Sequence, residues 1–166
     1  MSDLNKLIDK IIPYPASREN REGFNNEPYI DKLNDQEKKD VENALIEKLS
    51  TNPDDMLIVE TLAYLKSTSA LPLLNQLLTN SNDPMKRIIM AVSISEIDKD
   101  DRFINSIITD FRKLDDPRDA YNTYKLIPTF YYLRKLKNQE LDKIIEEYSD
   151  HKDHLVSNNA KRSLNL

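Results

Sequence analysis

The chain is 166 residues with a net charge of −5, one glycine (Gly23) and no cysteine, which suits a single domain and excludes disulfides, thiolate nucleophiles and cysteine metal sites. A phosphate-cradling loop or a nucleophile elbow needs several glycines, so neither occurs in recognisable form. No apolar run approaches the ~18 residues of a membrane span, and residues 1–6 lack the basic-then-apolar pattern of a signal peptide, so a cytoplasmic protein without membrane contact is expected.

The spacing of Leu4, Leu7, Ile8, Ile11 and Ile12 predicts a helix over 3–12, capped by Ser2 and ended by Pro13-Tyr14-Pro15. The polar stretch to Asn34 holds Gly23 and Pro28, with one helical turn expected around Tyr29-Ile30. A connection of that length calls for a reason, and Tyr14, Phe24, Tyr29 and Ile30 are expected to wrap it against the end of the fold. Asn34 and Glu37 have capping-box spacing and open a helix to Leu49, with Val41, Ala44, Leu45 and Leu49 inward.

From residue 52 onward a unit repeats. Asn52-Pro53, Asp83-Pro84 and Asp116-Pro117 lie 31 and 33 residues apart. In each pair the polar residue is placed to cap a helix, and the proline to occupy its first position, where a missing N–H costs nothing. The expected first helices span 53–66 (Leu57, Ile58, Leu62, Leu65 inward), 84–97 (Ile88, Ala91, Ile94, Ile97) and 117–136 (Tyr124, Ile127, Phe130, Tyr131, Leu133). Their partners begin near Ala70-Leu71-Pro72, over 100–114, and after Asn138 to Tyr148, and a last helix covers 152–164. Each partner carries one aliphatic triplet: Leu74, Leu77, Leu78; Ile104, Ile107, Ile108; Leu141, Ile144, Ile145. Spacing at i, i+3 and i+4 gives each a single apolar stripe. Pro128 inside the third first-helix removes one backbone hydrogen bond and predicts a bend.

These residues resemble the HEAT-repeat family, in particular its short bacterial form. Asp83-Pro84 through Arg87, Ala91 and Ile94 looks like that family's first-helix pattern, and Ala70 through Leu78 its second; Asp153 through Val156, Ala160 and Leu164 resembles one further first helix closing the array. The resemblance covers about residues 52–166 and implies an all-α solenoid, an irregular right-handed stack of about three helix pairs, with 1–51 as a helical N-terminal cap bearing a long loop. The period of 31–37 is shorter than the ~40–47 of long HEAT units.

Candidate chemistry is sparse. His151 and His154 stand at i and i+3 beside Asp150 and Asp153, yet without a third histidine or a His-Glu-x-x-His run they read as helix-start residues, and no metal or cofactor is expected. Asp54-Asp55, Asp100-Asp101 and Asp115-Asp116 sit where helices are expected to begin and read as caps rather than acid–base pairs. Charge is uneven: residues 34–60 carry three basic and eight acidic side chains, whereas 61–166 carry sixteen and fifteen. Local acidity argues against nucleic-acid binding, which draws on clustered Lys and Arg. Two surfaces then stand out for binding a protein. One is acidic, formed by Glu37, Asp40, Glu47, Asp54 and Asp55, and suits a basic partner. The other is a stripe of Tyr121, Lys125, Pro128 and Tyr132 at i, i+4, i+7 and i+11. The expectation is a monomeric, non-enzymatic binding module. Its size, charge and helical pattern resemble immunity proteins, which implies a toxin-like partner; some HEAT-like proteins are glycosylases or lyases, which makes an enzyme using the inner groove the alternative.

Overall fold

Helix starts in this chain are set by side chains that satisfy free backbone N–H groups, and four of them do so with full geometry. In the computed structural model Asn34 accepts the N–H of Glu37 while the Glu37 carboxylate accepts that of Asn34, completing the capping box. Asp83, Asn138 and Asp153 each accept two N–H groups of the turn they precede. The structure describes residues 3–14, 24–119 and 121–165, so Ser2 as a cap, Pro15 and Gly23 lie outside the described residues. Among these residues the chain is all-helical, with no strand.

The elements are α1 (Asp3–Ile11), α2 (Glu27–Ile30), α3 (Asp35–Thr51), α4 (Met56–Tyr64), α5 (Leu71–Asn80), α6 (Pro84–Asp98), α7 (Ile104–Leu114), α8 (Asn122–Lys135), α9 (Gln139–Glu146) and α10 (His154–Leu164). A 3₁₀ turn, Thr68–Ala70, leads into α5.

Two of the three Asn/Asp-Pro pairs do not start a helix. Asn52 closes α3, its N–H on the Lys48 carbonyl, and α4 begins only at Met56. Asp116 accepts the backbone N–H and the guanidinium of Arg118 in a local turn, and α8 begins at Asn122. A short polar side chain can satisfy a nearby turn as readily as a helix end, and at Asp116 the turn won, whereas Asn52 closes its turn through its backbone, its carbonyl accepting the Asp55 N–H. The doubled aspartates are corrected in the same way: the helices that follow them have Asp55, Phe103 and Tyr121 at the cap, none with a side-chain cap bond.

Packing centres on α6. Ile88 through Ser95 are all buried, so this helix is covered all round. It packs against α4, α5, α7 and α8, while α10 packs on α8 and α9. At the other end α3 joins α4, and α1 joins α3. Contacts along this row are directional. Lys86 in the first turn of α6 bonds Asp54 just before α4 at 2.6 Å, and Lys135 at the end of α8 lies 3.6 Å from Glu96 near the end of α6. Thr123 at the start of α8 bonds Asp153 at the start of α10, and Tyr131 further on bonds Asn159. Starts meet starts and ends meet ends, so α4, α6, α8 and α10 run in one direction, with α5, α7 and α9 as the returning elements.

All three aliphatic triplets face inward; Leu77 and Ile108 are half-buried and the other members buried. Phe111, Phe130 and Tyr148 form an aromatic knot with centroids 5.4–6.1 Å apart. Beside it, buried Asp110 binds Arg87 at 2.7 Å and Lys113 at 2.8 Å, and Arg87 also donates to the carbonyls of Leu78 and Ser81. One guanidinium thus ties α5, α6 and α7 together. On α8 the inward residues are Leu126, Thr129, Phe130 and Leu133, with Ile127 half-buried. Tyr124 and Tyr131, expected inward, are exposed, because the buried stripe is centred on Leu126, Phe130 and Leu133 at i, i+4 and i+7, and the two tyrosines flank it. The helix runs through Pro128, and the Thr129 hydroxyl donates to the Lys125 carbonyl.

The N-terminal connection docks through two residues. Ile30 is buried, and the buried Asn26 amide donates to the Ile11 carbonyl at 3.2 Å and to Thr61 Oγ1 on α4 at 2.7 Å. Tyr14 and Tyr29, expected as anchors, are exposed; Phe24 is half-buried and stacks on Tyr29.

Candidate functional site

The acidic set divides between surface and interior. Glu37, Asp40 and Glu47 are exposed on α3, where Glu37 is spent on the capping box and Gln36 donates to Asp40. Neither Asp40 nor Glu47 has a cationic partner among the described residues. Asp54 is exposed but paired with Lys86. Asp55 is a correction: it is 8% exposed, at the cap position of α4, and offers nothing to a partner.

The tyrosine stripe also divides. Tyr121 is 68% exposed at the start of α8, and Lys125 is paired with Asp119. Tyr132 is half-buried, with its hydroxyl against the Glu60 carboxylate of α4. Two residues the periodicity placed in the core instead join the surface: Tyr124 and Tyr131 are exposed, with Tyr131 Oη donating to Asn159 on α10.

Tyr132 belongs to a different site. Lys135 lies over its ring at 5.6 Å and bridges Glu60 at 4.0 Å and Glu96 at 3.6 Å, so side chains of α4 and α8 meet across α6. Burial pushes the Glu60 carboxyl up, and Glu96 adds to this, while Tyr132 and Lys135 oppose it. Burial and the facing Glu60 likewise push the Tyr132 phenol well above its usual range.

Beside this cluster, where α4, α6 and α8 end, lies a cavity of about 720 Å³. Lys66, Lys99 and Lys137 line it, each the residue that breaks its helix in the left-handed region, with φ of 55°, 56° and 50°. Lys135, Glu96, Asp101 and Tyr64 share the wall, as does Ser95, whose hydroxyl is buried and has no hydrogen-bond partner among the described residues. Asp31 accepts the Tyr64 hydroxyl at 2.7 Å and raises that phenol to about 12. Sequence reasoning missed this site. Its only trace was a lysine after each of three first helices, and those ends were not aligned before the fold was known.

The histidines are accounted for locally: His151 Nδ1 accepts the Asp153 N–H and its ring stacks on Tyr148, while His154 is exposed. Among the described residues no group of three or more His, Asp or Glu converges as a metal site. No protein-family model, curated protein or solved structure matches this chain.

Proposed function

We propose that the chain is a monomeric, non-enzymatic HEAT-like module that binds a basic protein through the outer face of α3. The packing order supports the repeat reading: α4, α6, α8 and α10 follow one another in parallel, and α5, α7 and α9 fill the returns. Each pair leaves an apolar stripe that only its neighbours cover, the physical mark of a repeat stack. The observation that carries the binding reading is the pair Asp40 and Glu47, one face of α3, exposed and without a cation to neutralise them among the described residues. Such a face speeds the encounter with a positively charged partner and rejects acidic ones. A toxin-like protein whose active site is covered on binding is the partner this reading favours.

The test is an affinity capture from the native host, with the bound protein identified by mass spectrometry. A basic protein released by raising salt is expected, and Asp40→Lys with Glu47→Lys should abolish its capture while leaving the melting temperature unchanged. Equal capture by the double variant would remove α3 from the binding surface. Glu37 is left intact in this variant because it caps the helix.

A further inference from the structure

We infer that the groove between α1 and α3 receives one arginine side chain of the basic partner. The inference rests on the binding face proposed above and places the partner's anchor on it. The groove encloses about 240 Å³ between Asn5 and Ile8 of α1 and Ala44, Glu47, Lys48 and Thr51 of α3. Asp40, Ala44, Glu47 and Thr51 stand at i, i+4, i+7 and i+11, so the acidic face and this wall of the groove are one side of the same helix.

Ala44 explains why there is a groove. Its half-buried methyl group is shorter than the side chains around it, and it leaves space over the buried Ile8. The two apolar residues suit a hydrocarbon stem. Glu47, exposed and without a cationic partner among the described residues, suits a positive head at the end of that stem. Lys48 shares the wall but does not neutralise Glu47, since consecutive residues on a helix do not face each other. Thr51 adds to the sign. Its hydroxyl proton is committed to the Lys48 carbonyl at 2.9 Å, so its oxygen can only accept from a guest.

Arginine fits these acceptors better than lysine. Glu47 and Thr51 lie one turn apart, and a planar guanidinium carries five donors that reach two acceptors at once. An ammonium is a compact and more strongly hydrated charge, so it loses more on leaving water for a wall partly made of carbon.

The experiment titrates the full chain with N-acetyl-arginine amide, N-acetyl-lysine amide and N-acetyl-citrulline amide, following backbone amide shifts. Citrulline matches arginine in shape but carries no charge. Arginine should give saturable shifts centred on Asn5, Ala44, Glu47 and Thr51, lysine weaker ones and citrulline none. Ala44→Leu fills the groove without altering charge and should abolish the shifts at an unchanged melting temperature. Thr51→Val, at an exposed position, should weaken binding about two- to five-fold. Lys48→Gln removes the opposing cation and should tighten it about two-fold. Arginine binding no tighter than lysine or citrulline, shifts that do not saturate, or shifts that survive Ala44→Leu would overturn the inference. Partner capture separates its failure from that of the α3 reading. Undiminished capture by Ala44→Leu, with capture lost in the Asp40→Lys and Glu47→Lys double variant, would sink the groove alone. Undiminished capture by the double variant would sink the face on which the groove depends.

Discussion

Glu60 is the residue whose position most constrains the molecule's response to pH. Its carboxyl is pushed up chiefly by burial, with Glu96 adding to the effect and Tyr132 and Lys135 countering it. For an acid whose folded pKa lies above the unfolded one, the stabilising contribution is complete below the unfolded value and is lost as pH rises through the folded value. Wild type should therefore lose melting temperature relative to Glu60→Gln, which keeps an acceptor for Tyr132 and carries no charge, as pH rises above the ordinary glutamate value of about 4.3. The two proteins should melt alike near pH 4, and the variant should melt at or above wild type at pH 7. A gap of constant size across that range would mean that ionisation of Glu60 costs the fold nothing. Nothing in the sequence marked this residue. It closed an acidic run, and its partners on α8 lie more than seventy positions away.

At the scale of the element, the caps can be ranked. Asp83 accepts two N–H groups at the start of the helix on which four others pack, whereas the half-exposed Asp116 bonds within its own turn, its carboxyl held down to about 2 by Arg118. Asp83→Ala should lower stability by about 1 kcal/mol in denaturant titrations, and Asp116→Ala should cost clearly less. A larger loss from Asp116 would reverse this assignment of roles. The contrast also explains which parts of the fold could be read from sequence. The aliphatic triplets all faced inward because a stripe of three apolar side chains has one low-energy direction. The Asn/Asp-Pro pairs started one helix in three, since a polar side chain before proline caps a helix and closes a turn with the same atoms. On α8 apolar residues lie on more than one face, so Tyr124 and Tyr131 could be counted in the stripe until packing chose Leu126, Phe130 and Leu133. The acidic face of α3 was legible because a well-capped amphipathic helix declares its outer side. The cavity was not, because it is made by three helix ends that only tertiary packing aligns.

At the scale of the whole molecule, one continuous apolar cluster runs from Ile8 to Ala160, and each helix makes most of its contacts with near neighbours in the row. The main backbone contacts follow the row, with the Glu60–Tyr132–Lys135 link between α4 and α8 as an added tie, and this predicts stability that is passed along the stack rather than shared equally. The last helix is the place to test it. Val156 and Ala160 of α10 are buried against α8 and α9, and Asp153 holds Thr123 at the start of α8. Ending the chain at Lys152 removes all three, uncovers the apolar side of α8 and α9, and should lower the melting temperature. Hydrogen exchange then separates two kinds of cooperativity. In a nearest-neighbour stack, amides of α8 and α9 lose protection first, those of α6 and α7 less, and those of α1, α3 and α4 keep theirs. Protection that falls equally in all of these helices would mean a single cooperative core. In that case binding on α3 and events at α10 would be coupled across the whole chain. Graded loss, the expected result, leaves the α3 face able to hold its shape while the far end of the stack frays.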